Sequence, residues 1–332
     1  METETAIVGH GDIREHLRLD IRSGNLAHAY LFCGARHLGK LTVAKWFAGE
    51  ILTQRVGKEE KKQALRLMEK NIHPDLLILD QLWIEGICTD WNVLARSSNV
   101  PQEERAKRRV KTNTIGIDDI RELQRRLHET SQTGQTCCLI RSLERLHTEA
   151  ANALLKILEE PPPHVLFCCT TEAPSALLPT IVSRMRLLHF SPVEHSALRP
   201  LLAFFEEEDR LLLQSIAQGC PGFIIRSRED PERLRAYRQT HMDALRFLDS
   251  SSLIERLQRC KSILTEGNEA LFLQHALLHL ARRLRSPKSP EAQGAARTLR
   301  RIFTLLSALE TNVQKDLLAV LAALQCSSTS LA

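Results

Sequence analysis

Short apolar runs alternate with stretches of helical periodicity over the first half of the chain. The runs are His28–Cys33, Leu76–Asp80, Thr136–Ile140, Val165–Cys169 and Arg186–Phe190. Each is short, nearly free of charge and bounded by polar turns, as strands buried on both faces are. Between them lie a helix from Lys40 to about Thr53 and a charged, helical connection from Gln54 to Asn71. A third helix spans Ile117–Glu129, with Ile117, Ile120, Leu123 and Leu127 in phase and Asp118 and Asp119 at its positive end. A fourth runs from Ala150 to Glu160, carries Ala151, Leu154, Leu155, Ile157 and Leu158 on one side, and stops at Pro161-Pro162-Pro163. Strands that alternate with helices in this way predict a parallel sheet covered on both faces. Ahead of it, Ile13, Leu17 and Ile21 mark one further helix.

The pattern changes at Pro192. Two or three short helices fill Glu194 to about Asp230, broken by Gly219-Cys220-Pro221-Gly222. From Pro231 to Leu331 the chain reads as helix throughout. Leu273, Ala276, Leu277 and Leu280 share one face, a turn falls at Ser286–Pro290, and a long helix spans Ala292–Leu309. The expectation is an α/β domain over 1–191, a small helical domain over 192–230 and an all-α domain over 231–332. No internal repeat or sustained heptad is visible.

Composition narrows this only a little. A chain of 332 residues, 43% apolar and 26% charged, can fold as two or three ordinary globular domains. A formal charge of +5 permits an acidic partner or nucleic acid without requiring either. The first ten residues hold two Glu and no apolar run of signal-peptide length. No apolar run reaches the ~18 to 20 residues that span a bilayer, so a cytoplasmic protein with no membrane partner is expected. None of the nine cysteines forms a C-x-x-C pair, which leaves zinc without its usual ligands. Buried free thiols are the expectation, with Cys137/Cys138 and Cys168/Cys169 pointing to opposite faces of their strands.

The candidate chemistry starts where the first strand meets its helix, at Gly34-Ala35-Arg36-His37-Leu38-Gly39-Lys40-Leu41-Thr42. Strand, G-x-x-x-x-G-K, helix is the context of a phosphate-binding P-loop. Its glycines let backbone N–H groups surround phosphates at a helix N-terminus, and its lysine neutralises them. The residue after the lysine should carry a hydroxyl for Mg²⁺, and here it is Leu41. Thr42 stands one place late, about 100° round the helix. Lys40 is open to two readings, a phosphate ligand or a solvated lysine at a helix start. At the end of the Thr136–Ile140 strand, where a hydrolase carries an Asp for Mg²⁺ and an acid to orient water, the chain has Arg141 and Ser142. Residues 81–114 include a basic run (Arg105, Lys107, Arg108, Arg109, Lys111) that suits a DNA-facing loop, although a solvated face is the commoner cause of such a run.

Several segments together resemble the bacterial DNA polymerase III clamp-loader family of AAA+ proteins, in its delta-prime type. They are Ile7-Val8-Gly9-His10, His28–Phe32, His73-Pro74-Asp75-Leu76, Glu149–Pro162 with its Asn-Ala-Leu-Leu-Lys-x-Leu-Glu-Glu-Pro-Pro run, and Leu178–Arg184. The likeness spans most of the chain and is best from Ile7 to Phe190. It implies that Ser183-Arg184-Met185 is the family's Ser-Arg-Cys motif, with Arg184 an arginine finger offered in trans to ATP on a neighbouring subunit and Met185 in place of Cys. It also implies that Gly222 stands where hydrolysing members carry a sensor Arg, and that the family's zinc knuckle, due between about Leu52 and His73, is absent. The function so implied is a non-hydrolysing subunit that helps load the sliding clamp onto primed DNA. Its partners would be delta and gamma/tau-type subunits in a hetero-oligomeric ring, with 231–332 as the collar. Gly34, Gly39, Lys40 and Thr42 would form a degenerate P-loop that holds ATP without turnover or holds none. Two alternatives remain: an ATP-hydrolysing gamma/tau-type subunit, and a free-standing P-loop module with no role in replication.

Overall fold

The computed structural model describes residues 7–79 except 55, 71 and 72; residues 114–284 except 129, 130, 132, 251, 267 and 268; and residues 298–302, 304 and 322. The basic run at 105–111, the turn at 286–290 and most of the expected helix at 292–309 lie outside the described residues.

The first compact unit holds residues 1–198 with 219–222. Helix α1 (Gly11–Ser23) leads into β1 (Ala29–Cys33), then α2 (Lys40–Leu52), α3 (Lys58–Glu69) and β2 (Leu76–Leu79). Next come α4 (Ile117–Leu127), β3 (Thr136–Ile140), α5 (Thr148–Glu159), β4 (Val165–Thr171), α6 (Pro179–Val182) and β5 (Arg186–His189). The strands make one sheet in the order β2-β3-β4-β1-β5, and every pairing is parallel. All residues of β1, β2, β3 and β4 are buried, which is why these strands read as continuous apolar runs. The expected α/β fold class therefore holds; β1, β2, β3 and β5 lie within the runs that predicted them, at most one residue short, and β4 extends two residues beyond its run, to Thr171.

Two cores follow from the pleat. On one face Leu31, Cys138, Ile140, Phe167 and Cys169 pack against α4, α5 and α6. On the other Tyr30, Phe32, Cys137, Leu139 and Cys168 pack against α1 and α2. Each pair of adjacent cysteines is thus split between the faces. The six described cysteines are all free, and burial pushes the thiols of Cys137 and Cys169 up to about 12, beyond the range of a reactive thiolate. Helix α3 lies in the interval between Leu52 and His73 where the family's zinc knuckle is due. At the sheet edge Asp20 of α1 accepts from Tyr30 Oη (3.0 Å) and Arg186 Nη1 (2.8 Å), so one buried carboxylate ties α1 to β1 and β5.

The topology also positions a site. β1 lies between β4 and β5, so the connection leaving β1 emerges where the strand order reverses. Ligands of open α/β sheets bind at such a point, beyond the carboxyl ends of the strands.

The second unit holds Arg199–Gln218 and Phe223–Ala332. Helix α7 (His195–Leu202) straddles the division, and α8 (Glu207–Ala217), α9 (Pro221–Glu229), α10 (Pro231–Asp249), α11 (Leu253–Glu266) and α12 (Glu269–Leu284) follow. Helices α10 and α12 pack together through Phe247 and Phe272, edge to face at 5.3 Å. Arg238 of α10 grips Asp209 of α8 through Nε and Nη2.

His275 of α12 is fully buried, with its ring 5.3 Å from that of His241 on α10. Burial first, and the neighbouring imidazole second, push its pKa down to about 3. The unfolded chain binds a proton there below about pH 6.5, whereas the folded chain does not until near pH 3. Stability contributed by neutral His275 is therefore complete above about pH 6.5 and declines as the pH falls, by at most about 1.4 kcal/mol per pH unit. Urea unfolding between pH 7 and 5 should lose stability more steeply for the natural chain than for His275→Leu. Parallel slopes would contradict this.

Candidate functional site

The P-loop is built from β1 outwards. Gly34 is held at φ 148° and donates its N–H to Thr171 O at the end of β4 (3.2 Å). A Cβ on Gly34 would lie 2.6 Å from the carbonyl oxygen of Phe190, so only glycine fits as the loop turns past β5. His37 and Gly39 also have positive φ, and α2 begins at Lys40.

Lys40 is 9% exposed, which excludes the solvated-lysine reading. Its ammonium donates to the carbonyl of Gly34 and to that of Ala35 (2.7 Å). Desolvation holds its pKa below the usual lysine value, opposed by the carboxylates of Glu172 and Glu144. The loop's charge is thus met from within the chain. Arg36 is paired likewise, its Nε donating to Glu172 Oε1 at 2.8 Å. Leu41 packs against the core beneath the sheet, while Thr42 is exposed.

Beyond β3, Arg141 donates its backbone N–H to Leu79 O (3.2 Å), and buried Ser142 donates its own to Thr170 Oγ1 (3.1 Å). A short 3₁₀ turn then places Glu144, which accepts from the backbone N–H of Glu172 at 3.4 Å. Among the described residues no group of three or more His, Cys, Asp or Glu side chains could hold a metal.

The segment 219–222 closes over this loop. The Gly222 N–H donates to His37 O at 2.8 Å, and a Cβ on Gly222 would lie 2.9 Å from the same oxygen. No side chain fits at Gly222 while the loop stays in place. From the other side, His10 Nε2 bonds Leu38 O at 2.8 Å, and its ring lies 4.6 Å from that of Phe190. Both the Gly222 and His10 contacts hold loop carbonyls.

Gly34, Gly39 and Lys40 therefore share one loop with the Gly222 contact, and Ser142 bonds Thr170 of β4, beside the Thr171 that accepts from Gly34. Ser183 and Arg184 belong elsewhere, in the turn between α6 and β5. Ser183 Oγ donates to Thr180 O (3.1 Å) and Arg184 Nη1 to the same carbonyl (2.9 Å), while Arg184 Nη2 lies 2.8 Å from Glu159 Oε1. Sequence reasoning singled out Arg184 but not Glu159, nor Glu144 and Glu172 beside Lys40. Glu159 stood inside the quoted Leu-Glu-Glu-Pro-Pro run, but no periodicity links it to Arg184.

The profile of the family described as "DNA polymerase III, delta subunit" matches residues 9–194. The delta' subunit of DNA polymerase III from Pseudomonas aeruginosa is 32% identical over 162 residues, 48% of this chain and 41% of that protein. The tau subunit from Escherichia coli is 27% identical over 230 residues, 67% of this chain and 31% of that protein. The chain thus spans less than half the length of either relative. A solved gamma subunit-related protein of Thermotoga maritima covers 93% of this chain and 98% of its own at 19% identity, with a TM-score of 0.48, an overlay too loose to argue from. With the matched region taking in the whole P-loop, the strand leading into Arg141 and the turn bearing Arg184, the chain belongs to the DNA polymerase III clamp-loader family.

Proposed function

We propose that this chain is a non-hydrolysing, delta-prime-type subunit of a DNA polymerase III clamp loader, lending Arg184 to ATP on a neighbouring subunit. The carrying observation is that Lys40, the one P-loop cation set by the motif, is buried on the carbonyls of Gly34 and Ala35. A magnesium nucleotide undergoing hydrolysis does not fit the residues around it. Leu41 has no hydroxyl for the metal, the end of β3 has no carboxylate to orient water, and Glu144 and Glu172 set negative charge near Lys40. A sensor arginine at Gly222 has no room. Lys40 would have to leave both carbonyls to meet a phosphate, so ATP held at Gly34, Gly39, Lys40 and Thr42 is at most a weak, unturned ligand.

A chain that has lost its own phosphoryl chemistry still serves a ring through an outward arginine. A guanidinium aimed at charge developing on a γ-phosphate supplies what the neighbour's site lacks. In this reading 1–191 meets the motor subunit, 192–230 is the small lid domain and 231–332 forms the collar. The partners are delta and gamma/tau-type subunits, with the sliding clamp and primed DNA reached through the complex in the cytoplasm. Among the described residues no helix is long and apolar enough to cross a membrane.

The alternative is a hydrolysing gamma/tau-type subunit, favoured by the match to tau and opposed by Arg141 and Ser142. Affinity purification of the tagged chain from its own cells separates a ring subunit from a free-standing P-loop module. Gamma/tau-type and delta subunits should co-elute in stoichiometric amount. Elution of the chain alone would remove the assembly role.

A further inference from the structure

We infer that Glu159 is a positioning residue for Arg184, fixing the guanidinium before a neighbouring subunit presents its phosphate. This rests on the arginine-finger reading above. The arginine is held at two points, one on each of two helices. Helix α6 is one turn long, and its Thr180 carbonyl accepts from Nη1 at 2.9 Å. Glu159 is the last residue of α5, and its carboxylate meets Nη2 at 2.8 Å. A helix C-terminus carries partial negative charge, so the carboxylate and the helix end attract the cation together. Two of the five N–H donors of a guanidinium make these bonds, which leaves three for an anion arriving in trans.

The pair is accessible, with side chains 35% and 43% exposed, as a residue that must meet another chain requires. Accessibility also limits its strength, because exposed ion pairs are weak. A free arginine side chain samples many rotamers and loses that freedom when it engages a phosphate. Anchoring by Glu159 removes part of that loss beforehand, so the expected gain lies in the rate of the chemical step rather than in ATP affinity. Glu159 touches neither the P-loop nor a reacting atom and acts only through Arg184.

The test uses the complete clamp loader reconstituted with the natural chain, Glu159→Gln, Arg184→Ala and the double variant at matched stoichiometry. Glu159→Gln keeps the shape and removes the charge. Its stimulated ATPase should show kcat lowered about two- to fivefold, the equivalent of about 0.4–1 kcal/mol, with KM for ATP unchanged. The double variant should match Arg184→Ala alone, because without the arginine there is nothing to position. Three results overturn the role. They are a Glu159→Gln rate equal to or above the natural one, a loss in KM alone, or the same factor lost again on the Arg184→Ala background, which is the mark of a general structural defect. A natural rate in Arg184→Ala itself would instead remove the finger reading, and the positioning role with it.

Discussion

Replacing Arg184 with alanine should leave folding and ring assembly intact and slow the DNA- and clamp-stimulated ATPase of the complete clamp loader. The side chain is partly exposed, and its bonds go to a carbonyl at Thr180 and a carboxylate at Glu159. Removing an exposed pair of this kind costs about 0–1 kcal/mol of stability. The expected loss in catalysis is far larger. An arginine finger is worth about 10³–10⁵ in rate, or roughly 4–7 kcal/mol of transition-state stabilisation, at the site it serves. Only the interface that carries this subunit is affected, so the whole complex should keep the turnover of its other sites and lose one share. Arg184→Lys should fall with alanine rather than with the natural residue, since a point charge lacks the planar fork that meets phosphate oxygens in two places. Rates equal to the natural complex at matched stoichiometry would make this chain a structural part of the ring.

The sheet was legible because a parallel strand covered on both faces leaves a continuous apolar run. All five runs from His28 to Phe190 became its strands. The split of the adjacent cysteines between two cores followed from the pleat alone. The P-loop could be located from its glycines and lysine, but where the lysine's charge goes could not. That depends on carbonyls at Gly34 and Ala35 and on carboxylates at Glu144 and Glu172, which only the fold brings near. Gly222 shows the same limit. As a sequence it is one glycine in a turn, and its close approach to His37 O arises from a segment that returns to the loop far along the chain. The Arg184–Glu159 pair lay within two motifs that were both read, on different elements, with no spacing rule between them. Contacts between residues distant in sequence carry no period, so no pattern along the chain displays them.

If this chain lacks phosphoryl chemistry of its own, the isolated chain given magnesium and ATP should show no steady-state phosphate release. Three separate positions bear on the outcome. Leu41 packs against the core, β3 leads into Arg141 and Ser142, and no side chain fits at Gly222 while the loop stays in place. Loss of the metal ligands and of the water-orienting acid removes most of what phosphoryl transfer needs, so restoring any one of them should not recover turnover. The expected rate is indistinguishable from background and unchanged by Lys40→Ala once that variant is shown to fold. Turnover near ~1 s⁻¹, the low end of ordinary enzymes, that disappears in Lys40→Ala would contradict it and make this chain a motor subunit.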